Sequence, residues 1–105
     1  HVSLSVKGIE AIAEIPDLTI GNFENITDFS MLTSQRTLRI LSCPGLTDVS
    51  CFTYICKLLL SYCPNVTDVS ALKGVYDLGI HYCNGVKDIS RLGNHYRISL
   101  VHLNK

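Results

Sequence analysis

The sequence has no surplus of either charge: nine Lys plus Arg residues balance nine Asp plus Glu. A basic excess is what draws a chain onto phosphate backbones or anionic lipid, so nucleic-acid partners are not expected. Nor does any uninterrupted apolar run approach the roughly 18 residues that a spanning helix needs, so no membrane insertion is expected. The opening His1-Val2-Ser3-Leu4 lacks the charged-then-apolar profile of a secretory signal. Five cysteines, at positions 43, 51, 56, 63 and 83, cannot all pair with one another. Reduced thiols in an intracellular setting are the expectation that this odd number favours. No C-x-x-C pair occurs either, and zinc sites are commonly built on one.

What is present is a repeat. The chain is 47% hydrophobic over 105 residues, ample for one core. Steps of 20 from Leu18 reach Leu38, Leu58, Leu78 and Ile98, and steps from Ile20 reach Ile40, Leu60, Ile80 and Leu100. Ile26, Leu46, Val66 and Val86 form another aliphatic column, as do Phe29, Val49, Val69 and Ile89. Two polar columns are unbroken: Asp28, Asp48, Asp68, Asp88 and Ser30, Ser50, Ser70, Ser90. A fixed period of this length marks a solenoid, in which no coil can bury its own apolar side and stacking supplies the core.

Within each repeat two periods alternate. Pairs such as Leu78 and Ile80 repeat every second residue, as in a short strand with alternate side chains pointing inward. Val49, Phe52, Ile55 and Leu58 repeat every third, which predicts a tight turn of three residues per revolution rather than a long helix.

These residues resemble the leucine-rich-repeat family. Ile55-x-x-Leu58-x-Leu60-x-x-Cys63-x-x-Val66 and Val75-x-x-Leu78-x-Ile80-x-x-Cys83-x-x-Val86 match its L-x-x-L-x-L-x-x-[N/C]-x-L signature. Thr47-Asp48-Val49-Ser50 and Thr67-Asp68-Val69-Ser70 are similar to the short repeats of internalin-like and phosphatase-regulator-like members. Departures are Gln35 and His95 at the first motif position, with Phe23 and Leu103 at the ladder position. The resemblance implies a β-rich α/β solenoid, an arc with a parallel sheet on its concave side and short 3-10 or extended segments on the convex side. It also implies a single domain over 1–105: a partial coil or cap at 1–17, repeats at 18–37, 38–57, 58–77 and 78–97, and a truncated coil at 98–105. The alternating Val2-Ser3-Leu4-Ser5-Val6 is the expected cap. Because Ile98 and Leu100 would lie uncovered, further repeats of the same chain are expected beyond Lys105.

The recurring polar residues read as scaffold. Cys43, Cys63 and Cys83 are expected to be buried, their thiols meeting backbone groups, with no metal and no cofactor. His81 lies near Cys83, as a base beside a nucleophile would, but the two are expected on opposite faces, so no catalytic residue is expected. Aspartates in a column suggest calcium, yet the Asp-x-Ser spacing lacks glycine-rich ligand loops. Asp28, Asp48, Asp68, Asp88 and Ser30, Ser50, Ser70, Ser90 are instead expected to accept hydrogen bonds from free amides of each turn. Asn25, Gly45, Asn65 and Gly85 suggest a turn with positive φ. Asn25-Ile26-Thr27 and Asn65-Val66-Thr67 are formal glycosylation acceptors, but both coincide with that turn.

Function is then sought where the fold dictates nothing, at outward strand positions. Arg39, Leu41, Lys57, Leu59, Tyr62, Asp77, His81, Tyr82 and His102 combine aromatic and apolar anchors with a charged rim, the make-up of an interface. Leu41 and Leu59 carry particular weight because they have no evident packing role inside the coil. The expectation is a non-catalytic scaffold for a protein partner. The alternatives are an architectural segment of a larger adaptor, effector or surface protein, and an enzyme or metal protein using Cys and His.

Overall fold

A computed structural model describes residues 12–22, 26–93 and 95–101. Among the described residues five strands, β1 (Asp17–Gly21), β2 (Thr37–Leu41), β3 (Lys57–Ser61), β4 (Asp77–His81) and β5 (Arg97–Val101), form one parallel sheet in chain order. Every partner is twenty residues away: Leu18 faces Leu38, then Leu58, Leu78 and Ile98. The register is the sequence period itself. It makes the chain a β-rich parallel solenoid of about four turns.

Leu38 and Ile40, like Leu58 and Leu60, point inward and are buried, while Arg39 between them is exposed. Across the coil from the sheet, Val49, Phe52, Val69 and Leu72 close the core. The spacing of three has its counterpart in 3-10 helices at Ser50–Phe52 and Ser70–Gly74. The bond defining them, Phe52 N–H to Val49 O at 3.0 Å, recurs as Leu32 to Phe29 and Leu92 to Ile89 in coils that make only a single turn. On the last coil the columns emerge into solvent: Ile89 is 36% and Ile98 41% exposed.

The motif departures leave the register intact because each polar side chain bonds to the preceding coil. Buried Gln35 donates its Nε2 to the carbonyl of Ala13 at 2.6 Å, and His95 Nδ1 donates to the carbonyl of Val75 at 2.6 Å. The proposed cap at 2–6, together with Phe23, Asn25, His102 and Leu103, lies outside the described residues.

The turn glycines require a correction. No described glycine has positive φ; the left-handed residues are Asn22, Ser42, Tyr62 and Tyr82, each directly after a strand, with φ of 61, 57, 54 and 58°. Their amides turn back to the sheet: Tyr62 N–H donates to His81 O and Tyr82 N–H to Val101 O, both at 2.9 Å. Gly45 and Gly85 are needed for space instead. A Cβ on Gly45 would collide with the carbonyl of Ile26, and one on Gly85 with those of Pro64 and Val66. Asn65 ties the same turn differently, donating its Nδ2 to Pro44 O at 2.6 Å.

Candidate functional site

Parallel strands in register set the outward side chains in straight rows across the sheet, about 4.8 Å apart. The first row holds Asp17, Thr37, Lys57, Asp77 and Arg97; the second Thr19, Arg39, Leu59, Gly79 and Ser99; the third Gly21, Leu41, Ser61, His81 and Val101. A shallow depression of about 230 Å³ opens on this face. It brings together Arg39, Lys57, Leu59, Asp77 and His81 from the expected set, and adds Thr37, Gly79, Arg97 and Ser99.

Its floor is a glycine. Gly79 is buried although it lies on the outer face, and a Cβ there would come within 2.9 Å of Leu59 Cδ1 and 3.5 Å of His81 Nε2. Leu59 therefore lies across the bare backbone of its partner Gly79, a contact on the outer face rather than inside the coil. Leu41 does not cover its partner Gly21 in this way, since an added Cβ there would meet the Leu41 carbonyl oxygen at 3.2 Å and Leu41 Cβ at 3.5 Å rather than the tip of the side chain. Both leucines are half-buried.

One wall is a polar pair, His81 Nε2 and Ser99 Oγ at 2.9 Å. Reading down columns misses this contact because Ser99 is a diagonal neighbour, one strand over and one row down. Cys83 lies in the core with its Sγ 3.5 Å from the carbonyls of Leu60 and His81, away from the depression. At the rim, Asp77 Oδ2 and Arg97 Nε are 4.0 Å apart.

Leu41, Tyr62 and Tyr82 do not line the depression. The tyrosines sit just past the strand ends, their rings parallel within 2° and 4.7 Å apart. Tyr76 and Tyr96, directly before β4 and β5, make a second stack at 4.5 Å and 4°. Sequence reasoning overlooked it, although a tyrosine recurring after twenty residues was the available signal. Two aromatic stacks thus flank the same part of the sheet. The two left-handed tyrosines together carry roughly 2–4 kcal/mol of strain, of which their stacking offsets about 0.5–1.5 kcal/mol.

The recurring polar columns are architectural. Each column aspartate accepts the amide of the serine two residues on, at 2.9 to 3.0 Å, and Ser30 and Ser90 donate their hydroxyls to Asp28 and Asp88 at 2.6 Å. The serines are thus donors rather than the expected acceptors. Serine hydroxyl and amide together hold the carboxyls below their ordinary value, the hydroxyl contributing most at Asp28, Asp48 and Asp88 and the amide most at Asp68. A hollow of about 500 Å³ beside this column, lined by Thr67, Asp68, Ser70, Asp88 and Arg91, is larger than the sheet depression. Its carboxylates are already engaged by Ser70 and Ser90, however.

The thiols of Cys43 and Cys63 meet the carbonyls of Leu41 and Ser61, at 3.5 and 3.4 Å. A hydrogen bond with Cys83, and then burial, push the Cys63 thiol upward. Burial pushes Cys51 up to about 11. Among the described residues no three His, Cys, Asp or Glu side chains group as a metal site would require, and no helix is long and apolar enough to cross a membrane.

The architecture defines a class, the parallel-stranded repeat solenoid. Compared with protein-family models, curated proteins and solved structures, the chain gives no match.

Proposed function

We propose that the chain is a leucine-rich-repeat module that binds a protein partner, without catalysis, on the outer and concave face of its sheet. The observation that carries this reading is the depression over Gly79, which gathers Arg39, Lys57, Leu59, Asp77 and His81 from different strands. The twenty-residue period requires only the inward side chains. The outward ones differ from strand to strand, as a surface selected for a particular shape and charge would. Apolar Leu59 at the centre with charge around it matches the core-and-rim organisation of interfaces.

The test is affinity capture followed by binding measurements with the purified, identified partner. Lys57→Ser with Leu59→Ser, and separately Tyr62→Ala with Tyr82→Ala, should each weaken binding roughly tenfold or more, about 1.4 kcal/mol. Lys73→Ser, exposed on a 3-10 helix away from the sheet, should leave it unchanged. Retained function after every outer-face residue is exchanged for Ser or Thr would instead support an architectural spacer.

A further inference from the structure

Three cations border the depression from three strands: Arg39 on β2, Lys57 on β3 and Arg97 on β5. Against them stands one carboxylate, Asp77, whose nearest cation is Arg97 at 4.0 Å. Among the described residues Arg39 and Lys57 make no ion pair, and both are exposed. The depression is therefore net positive on a chain whose total charge is zero. Between the charges lies the apolar step of Leu59 over Gly79.

Resting on the interaction-module reading, we propose that this depression takes an extended acidic segment of the partner, its carboxylates beside Arg39 and Lys57 and an apolar side chain on the Leu59–Gly79 step. From β2 to β5 is three strand intervals, about 14 Å, which about four residues of extended chain would cross. A carboxylate against guanidinium and ammonium groups has complementary charge, and Arg39 offers the fork that pairs carboxylates bidentately. A nucleic-acid strand fits less well. Asp77 stands among the cations, no Phe, Tyr or Trp ring lines the depression for bases to stack on, and the turns carry the column Asp28, Asp48, Asp68 and Asp88.

The experiment titrates the isotope-labelled chain with capped hexapeptides in which leucine alternates with glutamate, glutamine or lysine, and with single-stranded oligothymidylate. Amide shifts are followed throughout. The glutamate peptide should move amides of 37–39, 57–59, 77–81 and 97–99, bind roughly tenfold tighter than the glutamine peptide, and weaken in about 0.5 M salt. Arg39→Gln with Lys57→Gln should abolish that preference while the spectrum stays folded. Equal binding of the glutamine peptide, shifts confined to other residues, tighter binding of the oligothymidylate, or no shifts at millimolar peptide would each overturn the proposal. The two readings fail separately. If outer-face variants still weaken the captured partner while the glutamate peptide does not bind, the acidic segment is wrong and the module stands; if neither responds, both fall.

Discussion

Gly79 and Gly85 are six residues apart and have opposite surroundings. Gly85 faces fixed backbone, the carbonyls of Pro64 and Val66, whereas Gly79 faces the movable tip of Leu59 and the ring of His81. The contrast extends to the regions they belong to. Between coils, the thiols of Cys63 and Cys83 and the amide of Asn65 reach backbone carbonyls of the preceding coil, while each column carboxylate is bonded within its own turn. On the outer sheet face, side chains rest on one another and can rearrange without disturbing the register.

The sharpest way to break that comparison is to give both glycines a methyl group. Gly85→Ala should destabilise by roughly 3 kcal/mol in urea unfolding, since backbone must move. Gly79→Ala should stay within about 1 kcal/mol of the parent chain, the loss of unfolded-state entropy offsetting the displacement of Leu59. Equal costs would mean that the outer face is as rigid as the turns.

Thiol reactivity sharpens the same contrast. Cys56 is exposed, whereas Cys43, Cys63 and Cys83 are buried and bonded to carbonyls. Under an alkylating agent at neutral pH, Cys56 should react first and Cys51, held at about 11, far more slowly. The three column cysteines should be modified only as the coils open. Alkylation of Cys63 at the rate of Cys56 would show that the coils part readily.

The smallest effect belongs to the carboxylates. Because Asp48 and Asp68 sit below the ordinary value of 3.8, their contribution is complete above that pH and is lost as pH falls from there through the lowered folded-state values. Asp48→Asn with Asp68→Asn keeps an acceptor for the serine amide but removes the titration. Melting temperature followed from about pH 5 to pH 2 should fall less steeply for this variant than for the parent. Identical slopes would assign the acid sensitivity elsewhere.

The register could be read from the sequence because it depends on spacing alone: a period of twenty without insertion admits one alignment of Leu38 on Leu58 on Leu78. Contacts between coils were harder to read. Gly45 and Gly85 look like left-handed turn residues within one repeat, and only the adjacent coil shows that space is what they supply. The left-handed positions themselves hold Asn22, Ser42, Tyr62 and Tyr82, two of which carry large rings that conceal the backbone they occupy. The outward rows were legible as rows, but the depression was not, because it arises where Leu59 meets a missing side chain on the next strand. The diagonal from His81 to Ser99 crosses both strand and row, so no column contains it.

The step of Leu59 over Gly79 also says how such a surface can change. Five strands repeat the same backbone, and a large residue beside a bare one creates relief without any alteration of the chain's path. Exchanging Leu59 with Gly79 would mirror the step and move the hollow about one strand, near 4.8 Å, along the array. The shape of the outer face is thus written like type set in fixed slots: the line stays straight whichever letters are placed in it.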